Sequence, residues 1–182
     1  MLTGIILAGG PNDYINGHHR SLLLHHNEPR ILCQIKKMSQ IADEIIIVTN
    51  NPRELLPHVP TNIRIITDFY PNRGPIGGLH AGLSLARTEI AWVIEVDTLS
   101  ISTTMTSKLI KNVLRYHADG AIPLVDGALK PLQGIYRTST KATLTKLLQQ
   151  EDTTLSTFLE NIHTVSVSSN SDYKNQPHHT SQ

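Results

Sequence analysis

Residues 4–23 read GIILAGGPNDYINGHHRSLL, and the fold can be worked out from this stretch. A short apolar run, Ile5-Ile6-Leu7, ends in the small residues Ala8-Gly9-Gly10. A polar loop follows and closes with the cation Arg20 before another apolar run. Small residues after a strand let main-chain N–H groups approach a ligand without a Cβ in the way. The stretch predicts a buried strand followed by a nucleotide-binding loop or by a simple turn, and Gly-Gly alone favours the turn.

Hydrophobic runs of the same kind recur along the chain and predict a buried sheet. They cover residues 2–7, 44–48, 63–67, 91–96, 121–125 and 134–136. The first four are nearly unbroken rather than alternating, which is typical of parallel strands with helices on both faces. Between the runs, apolar residues recur at threes and fours in segments 30–41, 77–86 and 102–116, which predicts helices. The alternation predicts a single-domain α/β fold, a doubly wound and mostly parallel sheet with flanking helices.

The last third of the chain adds further elements to this pattern. We expect strands at 130–136 and 164–168 and helices at 140–149 and 154–162. The domain should span residues 1–170. Residues 171–182 are polar and poor in apolar side chains, which predicts a flexible tail.

Length, charge and cysteine content limit the class of protein. A chain of 182 residues fits one domain. Sixteen Lys and Arg against fifteen Asp and Glu leave a net charge of +1, so a nucleic-acid partner is not expected. The single cysteine suits a reducing compartment, and the first apolar run is too short for a signal peptide or a membrane span. We expect a soluble, cytoplasmic monomer without a membrane partner.

The third strand is followed by a segment rich in small residues. Asp68 comes first, Gly74-Pro75 then form a turn, and Gly77 and Gly78 stand where a helix begins. Glycine inside a helix is unfavourable by roughly 1 kcal/mol relative to alanine, so these residues need a reason. Close packing of the helix and close approach of a nucleotide to its N-terminus explain them equally well.

Two carboxylates stand at the end of the fourth strand. Glu95 and Asp97 are two residues apart, which would point both to the same side of an extended strand. A carboxylate at the carboxyl end of a buried strand suits Mg²⁺ that bridges nucleotide phosphates. We favour this role for Asp97 and a hydrogen-bonded structural role for Glu95.

The ten histidines include the adjacent pairs His18-His19, His25-His26 and His178-His179. Adjacent histidines diverge on most backbones, and one cysteine is too few for a usual structural zinc site. We expect most of the histidines at the surface, with His18 and His19 near the cleft.

Taken together, these motifs resemble a known family over most of the chain. Leu7-Ala8-Gly9-Gly10, the segment from Asp68 to Gly78, and Asp97 are similar to the motifs of the molybdenum cofactor guanylyltransferases, a group of α/β nucleotidyltransferases. Weaker matches lie at Asn27 and Pro29, at 131–136 and at 175–177. The resemblance implies the Rossmann-like fold of the nucleotide-diphospho-sugar transferase type.

The resemblance also implies an activity, its substrates and a set of site residues. The reaction would be GTP-dependent transfer of GMP to the phosphate of molybdopterin, the molybdenum cofactor, with release of pyrophosphate and with Mg²⁺ as cofactor. Relatives that use CTP usually read Leu-Ala-Ala-Gly, so Leu-Ala-Gly-Gly favours GTP. Catalytic roles would fall to Arg20 and Asp97, with Asp97 also the metal ligand. The nucleotide-binding residues would be Leu7, Ala8, Gly9, Gly10, Arg20, Asp68, Gly77 and Gly78.

The chain departs from the family pattern mainly in the opening loop. Tyr14 stands at the family's arginine and His19-Arg20 at its Asp-Lys pair. The family's proline after the metal ligand is missing, since Thr98-Leu99-Ser100 follows Asp97. Arginine keeps the charge of lysine but not its compact shape. Two alternatives therefore stay open: a related nucleotidyltransferase with CTP or another phosphorylated acceptor, and a weakly active or inactive homologue that binds nucleotide or a partner.

Overall fold

The structure is a computed structural model, and it describes residues 1–10, 14–15, 17–150 and 153–168. The predicted tail, the pair His178-His179 and the weak match at 175–177 lie outside these ranges.

Twelve strands are present in the described ranges. They are β1 (Thr3–Leu7), β2 (Tyr14–Ile15), β3 (His18–His19), β4 (Leu24–His25), β5 (Glu28–Pro29), β6 (Glu44–Val48), β7 (Arg64–Ile66), β8 (Ile90–Glu95), β9 (Gly120–Val125), β10 (Ala128–Leu129), β11 (Ile135–Arg137) and β12 (Thr164–Ser168). The α-helices are α1 (Arg30–Met38), α2 (Pro52–Leu55), α3 (Pro75–Leu85), α4 (Thr103–Arg115), α5 (Lys141–Leu148) and α6 (Leu155–Glu160). Short 3₁₀ turns lie at Arg20–Leu22, Pro131–Gln133 and Thr138–Thr140.

One large sheet organises the fold. Its strand order is β10-β9-β11-β8-β1-β6-β7, and β12 pairs with β9. The first strand lies in the middle and runs parallel to both β6 and β8, and β7 runs parallel to β6. Only β11 and β10 run antiparallel to their neighbours in this sheet. The predicted α/β fold with a mostly parallel, doubly wound sheet is confirmed.

Helices cover both faces of the sheet, which explains the unbroken hydrophobic runs. Along β1, the side chain of Ile6 packs with α1 and α4, whereas that of Ile5 packs with α3, α5 and α6. Both side chains have no exposed surface. Because both faces of β1 are covered by helices, alternate residues of this strand do not face solvent and need not be polar.

Several predicted boundaries differ from the structure. The helix predicted at 77–86 begins earlier, at Pro75, whose fixed φ and missing N–H suit the first helical position. The strand predicted at 130–136 is instead a 3₁₀ turn followed by β11. Proline at the start of that segment lacks the N–H that a sheet ladder needs, and the Tyr136 hydroxyl donates to the Pro131 carbonyl at 2.8 Å. The short helix α2 and strand β10 were not predicted.

Two small hairpins, β2-β3 and β4-β5, lie between β1 and α1. The second turns at His26 and Asn27, which have φ of 50° and 64°. Two successive positive φ values match the twist of a two-residue hairpin, and asparagine tolerates them well. This hairpin delivers the chain to the start of α1. None of the helices in the described ranges combines the length and the apolar character that crossing a bilayer requires.

Candidate functional site

The loop after β1 leaves the sheet between the carboxyl ends of β6 and β8. The Ala8 N–H donates to the Val48 carbonyl at 2.8 Å, and the Val96 N–H donates to the Leu7 carbonyl at 3.0 Å. Gly9 is exposed and Gly10 is half-buried. The predicted segment from Leu7 to Gly10 therefore lies at the carboxyl edge, where ligands of doubly wound folds bind.

Asp68 lies directly against the first turn of α3. A Cβ added at Gly77 would be 2.5 Å from the Asp68 Oδ2, so only glycine fits there without a shift. The Tyr70 N–H donates to the Asp68 Oδ1 at 2.7 Å. Burial raises the pKa of Asp68 above its usual value, and the Tyr70 N–H acts against this shift. The close approach predicted at this helix start is made by the Asp68 side chain.

The other two glycines of α3 face the middle of the sheet. A Cβ at Gly78 would lie 3.4 Å from the Leu7 Cδ2, an ordinary contact. A Cβ at Gly82 would lie 2.6 Å from the Ile5 Cγ2, which is too close. Packing against β1 therefore explains Gly82, while Gly77 lies against Asp68 and Gly78 lies near Leu7.

Asp97 is held between two arginines. Its Oδ2 contacts the Arg20 guanidinium, and the Arg30 Nη1 donates to its Oδ1 at 2.9 Å. The Asp97 side chain is 37% exposed, whereas those of Arg20 and Arg30 are 30% and 22% exposed. The two predicted catalytic residues, Arg20 and Asp97, are thus in direct contact. Arg30 was not singled out from the sequence.

Glu95 is the last residue of β8, so Asp97 lies in the turn beyond the strand. The expectation that both carboxylates share one side of a strand therefore does not apply. Glu95 is half-buried, and this burial raises its pKa, while the charges of Arg20 and Lys130 act in the opposite direction.

Gln34 fixes the turn that carries Asp97. Its Nε2 lies 2.9 Å from the carbonyl oxygens of Glu95 and Val96 and 3.1 Å from that of Thr98. Gln34 is buried on α1, one turn after Arg30. The sequence reading missed this residue as well. The available signal was a polar side chain on the apolar face of the predicted first helix.

The opening loop is anchored by the residues that depart from the family pattern. The Tyr14 hydroxyl donates to the Glu54 carboxylate on α2. His19 is only 3% exposed, and its Nδ1 accepts from the Ser21 N–H at 3.3 Å. His19, which was expected near the cleft, is buried beside Arg20. His80 is a buried exception to the expectation that most histidines lie at the surface: its Nε2 lies 2.9 Å from the Thr145 Oγ1, and burial lowers its pKa.

Two cavities flank the segment that follows Asp97, and residues 98–101 line both. One, of about 530 Å³, is bordered by Asp97, Lys108, Lys130 and Gln133. The other, of about 630 Å³, is bordered by Arg30 and Gln34. Neither includes Leu7 to Gly10, Asp68 or Gly77. The segment that follows Asp97 therefore separates the two cavities.

Asp97 offers a 37% exposed carboxylate that could hold a divalent cation. Among the described residues, no group of three or more His, Cys, Asp or Glu side chains could hold a metal ion. Magnesium in nucleotide sites commonly takes one or two carboxylates, with phosphate and water completing the shell. The exposed Asp97 carboxylate fits that donor set. It does so only when the two arginines that occupy its oxygens have another anion to bind.

Comparison with known proteins gives consistent matches. The family model of the MobA-like NTP transferase domain matches residues 4–166. A probable molybdenum cofactor guanylyltransferase of Clostridium perfringens is 28% identical over 146 residues, 80% of this chain and 71% of that protein. The molybdenum cofactor guanylyltransferase of Yersinia pestis is 29% identical over 166 residues, 89% of this chain and 82% of that protein.

A solved structure matches the fold. The molybdopterin-guanine dinucleotide biosynthesis protein A of Archaeoglobus fulgidus superposes with a TM-score of 0.75 over 92% of this chain and 83% of that chain, at 19% identity. At that identity the likeness concerns the fold, which is that of the nucleotide-diphospho-sugar transferase type.

Proposed function

Because the chain belongs to the MobA-like NTP transferase domain family, we propose that it transfers GMP from GTP to the phosphate of molybdopterin and releases pyrophosphate. Relatives named as molybdenum cofactor guanylyltransferases at 28% and 29% identity support the substrate pair. The observation that carries the proposal is the direct contact between Arg20 and Asp97 beside the loop from Leu7 to Gly10. A phosphate-binding cation and a metal-binding carboxylate are the two charges that such a transfer needs at one place.

Each predicted site residue has a role in this proposal. Main-chain N–H groups around Ala8, Gly9 and Gly10 bind the guanine and the triphosphate, with Leu7 packing beneath them. Asp68 contacts the nucleoside at the start of α3, where the absence of a Cβ at Gly77 lets the Asp68 carboxylate lie against the helix and Gly78 packs near Leu7. The Arg20 guanidinium binds phosphate and neutralises charge as pyrophosphate leaves. Positioning and charge neutralisation account for most of the rate in phosphoryl chemistry of this kind.

Asp97 is the proposed ligand of Mg²⁺. The Asp97 carboxylate would hold the ion, which would supply Lewis-acid neutralisation of phosphate charge. The task of this chain is to hold the Asp97 carboxylate at a fixed place, which Gln34 does through the carbonyls on both sides of it.

The test is a transfer assay with GTP, molybdopterin and Mg²⁺, in which pyrophosphate and the dinucleotide product are measured. The wild-type protein should release pyrophosphate only when both substrates are present. Asp97→Asn should lower the rate on the order of 10²–10³-fold, as loss of one charge-stabilising group does in other sites. Asp126→Asn, at an exposed turn after β9, is the matched control and should leave the rate unchanged. If Asp97→Asn turned over at the wild-type rate, Asp97 would have no role in the reaction.

The second candidate function is nucleotide binding with weak or no transfer activity, as in a weakly active or inactive homologue. The observation that favours it is the pairing of both Asp97 oxygens with guanidinium groups, which opposes cation binding. Binding of GTP without any transfer in the same assay would support this candidate. Transfer with CTP or with another phosphorylated acceptor would instead support a related nucleotidyltransferase.

A further inference from the structure

Arg30 lies where a second phosphate-binding cation would be useful. We propose that Arg30 and Arg20 form a pair of guanidinium groups that bind the nucleotide's phosphates, and that Asp97 occupies this pair until phosphate replaces it. The proposal rests on the proposed function and extends it to a residue outside the predicted site. Arg30 would act by binding phosphate directly.

The position of Arg30 is fixed by the fold rather than by a mobile side chain alone. It is the first residue of α1, and its N–H donates to the Leu23 carbonyl at 2.9 Å across the β4-β5 hairpin. One turn later, Gln34 binds three carbonyls around Asp97. The start of α1 and the Asp97 turn therefore keep a constant separation, and Arg30 can reach the same anion position in every molecule.

The Arg30 guanidinium has unused hydrogen-bonding capacity. Its Nη1 donates to Asp97, but its Nε is buried and finds no partner among the residues that the structure describes. The side chain also borders the 630 Å³ cavity, which is lined by neither Arg20 nor Asp97. A planar guanidinium can donate two parallel hydrogen bonds to one phosphate. The single hydrogen bond from Arg30 to Asp97 does not use this capacity.

Charge balance explains why Asp97 and phosphate would exchange. Both partly buried guanidinium groups contact the Asp97 carboxylate. Releasing that carboxylate would break both ion pairs, which is costly in a partly buried place unless another anion replaces it. Phosphate oxygens can supply that anion, and Asp97 then becomes free to bind a cation. Arg30 thus links phosphate binding to the availability of Asp97.

The experiment is calorimetric titration of inorganic pyrophosphate into the full-length protein without divalent metal. Arg30→Leu should weaken binding about ten- to a hundredfold, as expected for charge-assisted hydrogen bonds. Arg30→Lys should weaken it less, because the charge remains. Arg115→Leu is the matched control, since Arg115 is exposed at the far end of α4, and it should bind like the wild type. Melting curves establish that each variant is folded.

A second pair of variants tests the exchange itself. Asp97→Asn should bind metal-free pyrophosphate more tightly than the wild type, because a competing anion is gone. Adding Arg30→Leu to Asp97→Asn should remove most of that gain. Equal pyrophosphate affinity in the wild type and Arg30→Leu, or no gain in Asp97→Asn, would overturn the proposal.

The same variants separate this inference from the proposed function. If the wild type binds GTP with Mg²⁺ and Arg30→Leu binds it equally well, the role of Arg30 is wrong while the proposed function stands. If the wild type binds neither GTP nor pyrophosphate, both are wrong.

Discussion

Arg20 occupies the position at which the resembling family carries a lysine, and it reaches Asp97 from the 3₁₀ turn that ends the opening loop. The surrounding anchors are specific to this chain: His19 is buried beside it and Tyr14 bonds to Glu54. The loop is therefore held in place by different side chains, while the cation at its end still meets the carboxylate. This contact between Arg20 and Asp97 is the one on which the proposed transferase activity rests.

Arg20→Lys tests this interpretation. The compact ammonium group should keep or increase the rate of pyrophosphate release, because charge rather than the planar fork is what the family uses here. Steady-state rates with GTP and molybdopterin provide the measurement, and Arg115→Lys on an exposed helix end is the control. A rate loss as large as that of Asp97→Asn would mean that this site needs a guanidinium.

Asp68 gives a prediction about pH and stability. Burial raises its folded pKa, so the folded state keeps this proton at pH values where the unfolded chain has lost it. Stability should therefore fall as the pH rises from about 3.9, the ordinary value for aspartate, through the raised folded value. Asp68→Asn removes this loss of stability because asparagine does not titrate, and its side-chain oxygen can still accept the hydrogen bond from the Tyr70 N–H. The difference in melting temperature between Asp68→Asn and the wild type should therefore increase in favour of the variant as the pH rises through that window.

The control for this prediction is Asp126→Asn, at an exposed turn, measured over the same pH range. Other titrating groups are present in wild type and variant alike, so the difference isolates Asp68. A constant difference in melting temperature across the window would contradict the assigned burial.

At the scale of the element, the glycines of α3 have two different neighbours. The first turn of the helix lies against Asp68, whereas Gly82, two turns later, touches the buried strand β1. The sequence identified the unusual cluster of small residues but could not separate these two causes. Only the position of Ile5 across the sheet decides between them, and that contact spans 77 residues of chain.

Two alanine substitutions in α3 should have opposite outcomes. Gly82→Ala should lower the free energy of unfolding by about 1–2 kcal/mol, because overpacking against Ile5 outweighs the gain in helix propensity. Gly78→Ala should leave it unchanged or raise it by up to about 1 kcal/mol, because its Cβ makes only an ordinary contact with Leu7. Urea unfolding measures both. Equal effects would mean that α3 can move away from β1.

Other elements show where sequence patterns are insufficient. The long apolar strands and α1, α3 and α4 were predicted because periodicity is a local property. The short helix α2 and strand β10 contain too few residues to establish a period. The segment from Pro131 was predicted as a strand although proline lacks the N–H that a sheet ladder needs, and it is a 3₁₀ turn followed by β11.

At the scale of the whole molecule, the predicted fold and the placement of motifs at one sheet edge agree with the structure. Leu7 to Gly10, Asp68 with Gly77, and Asp97 all follow strand ends, so topology alone brings them to the same side. Arg30 and Gln34 could not be assigned in this way. Their partners lie about 60 residues away along the chain, and the pairing depends on how α1 packs beside β8.

If the proposed function holds, this sheet edge binds GTP with a divalent metal, and the melting temperature measured with Mg²⁺ and GTP is the decisive test. A ligand at a hundred times its Kd that binds only the native state stabilises by about 2.7 kcal/mol. For a chain of this size, that corresponds to a rise of about 5–10 °C. We predict such a rise with millimolar GTP and a smaller one with CTP. An unchanged melting temperature with GTP at this concentration would contradict GTP binding at this sheet edge.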